Sequence, residues 1–154
     1  MVKLSEITAF LENRFPPEYA EDFDNIGLLA GKAERDVSKA LVCLDCTTSV
    51  VEEAISMGAE LIITHHPFIF NAMKSVSDSS SLGRSIVLAL ENNISIYSAH
   101  TNLDSAPGGL TDYVVSKLGL TATSNIEGNL GRVCCADTTA KELCDRIKKE
   151  FGVE

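Results

Sequence analysis

Positive charge is scarce in this chain. Thirteen lysines and arginines stand against 22 aspartates and glutamates, a net charge of −9. A nucleic-acid backbone is gripped by clustered Lys and Arg, so the balance speaks against a nucleic-acid partner. A local patch, or metal cations gathered by the acids, could still take a nucleotide. Long apolar runs are missing too. No stretch approaches the ~20 residues of a membrane span. The N-terminus, Met1-Val2-Lys3-Leu4-Ser5-Glu6, lacks the apolar centre of a secretion signal. The expectation is a cytoplasmic protein with no membrane partner. Among five cysteines, Cys43-Leu44-Asp45-Cys46 is the one C-x-x-C. A zinc ribbon needs a second such pair. An odd thiol count without a secretion signal reads as reduced cysteines in core or strand-end positions, with a redox pair at a helix start as the alternative. Neither G-x-G-x-x-G nor G-x-x-x-x-G-K-S/T occurs, which removes the phosphate loop. G-x-S-x-G is absent as well, which removes the nucleophile elbow of a serine hydrolase.

What is present is an ordinary α/β pattern. The 154 residues are 45% hydrophobic and 23% charged, enough to bury a core. Ile7, Phe10 and Leu11 share one face of a helix over 4–14, which Pro16-Pro17 stops. The acids Glu21, Asp22 and Asp24 read as a solvated turn, with a ligand role as the alternative, leading into a short strand near 26–29. Then a rhythm sets in. Residues 38–45 have strand character. Thr47 or Thr48 caps a helix to about 57, which Gly58 ends. Leu61–Thr64 is strand; 71–81 is a loop carrying five serines. Residues 82–92 suit a helix and 94–98 a third strand. Gly108-Gly109 opens a helix over about 110–118, ended by Gly119. Residues 130–136 read as strand. Thr139 and Glu142 form a capping box for a helix whose apolar face is Leu143, Ile147 and Phe151.

Strands alternating with helices of this length mean repeated β-α units and a mostly parallel sheet. Such sheets bind ligands beyond the carboxyl ends of their strands. Asp45, His65, His66 and His100 all fall there. For Asp45 a turn or cap role is the first expectation. The last strand and helix read as the start of a further α/β unit that is cut short. The expected division is 1–125, an N-terminal half carrying the site, and 126–154, the start of the next unit.

Histidine is the third scarcity, and the informative one. Three occur: His65 and His66 together in Thr64-His65-His66-Pro67, and His100 after a strand, four residues before Asp104. Imidazole is the commonest metal ligand. Consecutive strand side chains point to opposite faces, so the pair suits two ions bridged by a carboxylate, unless a turn at the strand end brings the rings together. Two-metal hydrolytic sites hold their ions ~3.5–4 Å apart. Asp104, four residues past His100 on the neighbouring strand end, is the carboxylate expected to bridge them. Such ligands suit Zn, Fe, Mn or Co without choosing among them.

The segments Ala20–Leu28, Gly58–Pro67 and Tyr97–Asp104 together resemble the Nif-three-like family, the dinuclear-metal-centre, hexamer-forming proteins also named GTP cyclohydrolase I type 2 homologues. The likeness runs from about residue 4 to 150. It implies an α/β fold of two similar halves around two divalent metal ions. His65 and His66 would each hold a metal and Asp104 would complete the first-half ligands. His100 would sit beside the site, orienting a ligand or water or carrying a proton. The family's remaining ligands, from a His-x-x-x-Glu, have no counterpart here, since no histidine follows His100. Metal binding weaker than that of a longer chain is the expectation. The implied activity is metal-dependent hydrolysis, either opening of the guanine ring of GTP or cleavage of a phosphoester. The rival is a metal-stabilised hexameric scaffold or regulatory protein, with other copies of itself as its partner.

Overall fold

The computed structural model describes residues 1–126 and 128–153. They divide into two compact units, Met1–Asn102 and Leu103–Glu154.

The first unit is built on a four-stranded sheet. Its strands are β2 (Gly27–Ala30), β4 (Ala40–Cys43), β5 (Leu61–Thr64) and β6 (Ser95–Ser98), in the order β2-β6-β5-β4. β4, β5 and β6 run parallel; β2 runs antiparallel to β6 at one edge. The crossovers are α2 (Thr48–Met57) and α3 (Ser81–Glu91). Thr47 caps α2 by accepting from the Val50 amide, and Gly58 ends it with φ +64°. Ser80 caps α3, and Asn93 takes the left-handed turn (φ 59°) that leads into β6. The core forms where these helices lie on the sheet: Val51 and Ala54 of α2, Ile86 and Ala89 of α3, and Ile62 and Ile96 of the central strands are all buried together. Each buried Val or Ile among them contributes ~1.5–3 kcal/mol by leaving water. α1 (Leu4–Arg14) ends before Pro16, as its sequence requires, and the two-residue strands β1 (Val2–Lys3) and β3 (Asp36–Val37) pair antiparallel beside it.

The second unit contains α4 (Thr101–Ser105, its first two residues in the first unit), α5 (Leu110–Lys117), the antiparallel pair β7 (Thr121–Asn125) and β8 (Arg132–Cys135), and α6 (Ala140–Phe151). Thr139 and Glu142 form the expected capping box, and Gly152 ends α6 at φ +63°. Arg132, nearly buried, pairs with Asp112 at 2.6 Å and donates to the Ser105 carbonyl. Asp104 lies in α4, not on a strand end. Among the described residues no helix is long and apolar enough to cross a membrane.

Candidate metal centre

The three parallel strands of the first unit end level. Cys43, Thr64 and Ser98 stand in one row across the sheet. Asp45, His65, His66 and His100 follow within two residues of that row, so the fold delivers them to one edge. β5 stops at Thr64, and strand alternation stops with it. The buried Thr64 hydroxyl bonds to the Leu44 and His66 carbonyls and fixes the bend there. The adjacent histidines therefore turn toward each other, with ring centroids 5.2 Å apart. His100 joins them at 5.2 Å from His65 and 5.7 Å from His66. One ligand atom from each of the three lies within 4.8 Å of the others.

Every one of these rings is held through Nδ1. His65 Nδ1 is 3.0 Å from the Ala99 carbonyl, His66 Nδ1 is 2.7 Å from Asp45 Oδ1, and His100 Nδ1 is 2.9 Å from Asp24 Oδ1. A carbonyl or an ionised carboxylate can only accept. Each Nδ1 therefore carries the proton and each Nε2 the lone pair. This is the tautomer a metal needs, and the pattern of outer acceptors typical of metal-ligating histidines. Three neutral imidazoles brought to one place fit a divalent transition metal.

Asp24 departs from the solvated turn expected of residues 21–24. Its side chain is fully buried, beside a His100 that is 20% exposed. Oδ1 accepts from His100 and from the Asn25 amide; Oδ2 accepts from the amide and hydroxyl of Thr101. Burial pushes this carboxyl up, but the hydrogen bonds from Thr101, His100 and Asn25 outweigh it and hold it below the usual carboxylate range. The signal lay in the spacing of Asp24 and Asn25 before the Gly27 strand, which composition could not separate from the exposed Asp22 beside it. Asp45, expected as a turn residue, is the exposed partner that orients His66. Cys43 and Cys46 pack against the core, and burial raises both thiols, Cys46 to about 12, which fits unreactive thiols rather than a redox pair. Asp104 is not among the three residues that form this cluster, and belongs to the second unit.

The profile of Duf34/NIF3 (NGG1p interacting factor 3) matches residues 2–154. A Clostridium acetobutylicum protein named GTP cyclohydrolase 1 type 2 homolog is 39% identical over 99% of this chain and 61% of its own length. Its namesake in Clostridium perfringens is 40% identical over 99% and 62%. The chain thus spans about three fifths of the length of these curated relatives. Among solved structures, reduced HcgD from Methanocaldococcus jannaschii superposes with a TM-score of 0.90 at 31% identity, covering 96% of this chain and 60% of that one. The Bacillus cereus protein related to NIF3 gives 0.75 at 40% identity, covering 80% and 34%. Sequence likeness along the whole chain and a shared fold agree: the chain belongs to the Duf34/NIF3 family.

Proposed function

We propose that this chain carries part of the dinuclear metal centre of a hydrolase that opens the guanine ring of GTP or cleaves a phosphoester. The observation that carries the reading is the set of three rings whose ligand atoms lie within 4.8 Å of one another, each with Nδ1 tied to an acceptor. His65 and His66 would hold the metal, and the resemblance adds Asp104. When bound, divalent ions would polarise a substrate oxygen and make water beside them more acidic. His100 is turned to the same place with a buried carboxylate behind it, the arrangement of an oriented general base. It takes the proton from the attacking water on Nε2, and Asp24 stabilises the imidazolium that results. Metal content after dialysis, read together with turnover of GTP and bis(p-nitrophenyl) phosphate, tests these roles. His65→Ala, His66→Ala and Asp104→Ala should each lower metal content. His100→Ala should keep most of the metal and lose turnover by ~10²–10⁴-fold. Equal metal loss in all four would make His100 a ligand.

The second reading is a metal-stabilised scaffold assembled from copies of the chain. It is favoured by the edge strand β4, whose Val42 (74%) is exposed, as is Leu44 (58%) just after it. His65→Ala separates the two. Lost turnover with assembly intact supports hydrolysis; lost assembly, with no turnover in the parent protein, supports the scaffold.

A further inference from the structure

Two exposed phenylalanines stand on the loops that carry Asp24 and follow His66, and the metal reading does not use them. Phe23 immediately precedes Asp24, whose carboxylate bonds His100; adjacent Cα atoms are about 3.8 Å apart. Phe70 follows His66 by four residues. Between them, Phe68 and Ile69 turn inward to the core, whereas Phe70 turns out. The two outward rings meet edge to face, with centroids 6.4 Å apart and planes at 64°, yet Phe23 remains 64% exposed and Phe70 46%. Their loops are pinned together by the Asn25 side chain, which donates to the Ile69 carbonyl at 2.6 Å. Thr101 holds the start of the Phe23 loop through the Glu21 amide. The pair is therefore held in place by its loops. It leaves ring surface open to water at a cost that contact with an apolar guest would offset.

We propose that Phe23 and Phe70 form a stacking platform for a planar heteroaromatic ring, on a ligand whose oxygen-rich portion reaches the histidine cluster. The class follows from what is juxtaposed. An edge-to-face pair keeps open ring faces, and such faces take flat π-systems of any base type. The neighbouring imidazoles would hold a metal that prefers phosphate or carbonyl oxygens. One small molecule with a ring at one end and such oxygens at the other satisfies both. The inference rests on the metal reading for the second half of the ligand only, not for the ring.

Paired probes read the two halves separately: GMP and AMP, which carry a ring, and ribose 5-phosphate, which does not. Their dissociation constants are measured by calorimetry on metal-loaded and on EDTA-treated protein. The ratio of nucleotide to ribose 5-phosphate affinity reports the platform, and the change on EDTA treatment reports the metal. Both nucleotides should bind at least about tenfold more tightly than ribose 5-phosphate. Phe23→Leu with Phe70→Leu should remove that advantage while leaving ribose 5-phosphate binding and metal content unchanged. Phe23→Tyr with Phe70→Tyr should retain it. If the double leucine variant does not fold, Phe23→Leu alone, the more exposed position, gives the same reading. Equal affinity for ringed and ringless probes overturns the proposal, as does a leucine variant that keeps the full ratio. So does a leucine variant that changes oligomeric state with the ratio intact, which would make the patch a contact between copies. If the ratio holds but EDTA has no effect, the metal reading fails and the platform stands.

Discussion

At the scale of single residues, the chemistry depends on where acceptors sit. All four acceptor positions on Asp24 face donors, so an amide in its place sets N–H against N–H. Asp24→Asn should cost about 1–3 kcal/mol in urea unfolding and lower turnover at least about tenfold with most of the metal kept, since it acts through His100. An unchanged urea midpoint and unchanged turnover would show that Asp24 does not position His100. The thiols give a second test. With Cys46 pushed up to about 12 and Cys43 also raised, iodoacetamide at pH 8 should modify exposed Cys135 and Cys144 first. Peptide mass spectrometry that found Cys43 or Cys46 modified first would overturn this. The histidines were legible in the sequence because so few exist and both groups end apolar runs. Asp24 was not, because a buried carboxylate and a solvated one look alike until the His100–Thr101 segment that meets one of them is placed.

Elements were read well where local rules dominate. The Thr47 and Gly58 boundaries of α2, the Thr139–Glu142 capping box and the strand Leu61–Thr64 stand where spacing puts them. β7 was invisible. Thr121–Asn125 is small, polar and exposed at every position, and exists because β8 supplies its ladder. The two-residue β1 and β3 carry too little pattern to detect. α4 was missed for a similar reason, so Asp104 was placed on a strand end when it lies on a short helix. One joint between elements depends on a missing side chain. Gly31 leaves β2 at φ +110°, and a Cβ there would lie 2.3 Å from Ser95 Oγ and 2.6 Å from the Ser95 Cα of β6. Both conformation and space forbid it. Gly31→Ala should lose at least about 2 kcal/mol, seen as a lower Tm. An unchanged Tm would mean that β2 can move away from β6.

For the whole molecule, acid is the condition to which stability should respond. Asp24, Glu60, Asp112 and Glu142 are all held below their usual values. Hydrogen bonds drive this at the last three: backbone amides at Glu60 and Glu142, and Arg132 at Asp112. A carboxyl with a lowered folded-state pKa binds fewer protons folded than unfolded, so its contribution is complete above the unfolded value and fades as pH falls through the folded one. Tm should be flat above about pH 5 and fall below about pH 4, with Asp24 the main contributor because the others are solvent-screened. A Tm that rose between pH 5 and pH 3 would contradict it. The parallel order of β4, β5 and β6 was legible from the helix–strand rhythm. The antiparallel β2 was not, because a strand's direction is decided by its partner and not by its own residues.

The strand ends that carry the histidines also have a topological meaning. If the dialysis test makes His100 a ligand, an ion shared by His65 and His100 ties residue 65 to residue 100 and converts the serine-rich segment and α3 into a closed ring of chain. Confining the unfolded chain in this way favours the folded state by about 3–4 kcal/mol on the chain-entropy model. That gain depends only logarithmically on ring size, changing by about 0.6 kcal/mol per doubling. The exposed segment before Ser80 is therefore a tether whose length hardly matters, and lengthening it should leave the grip on the ion almost unchanged.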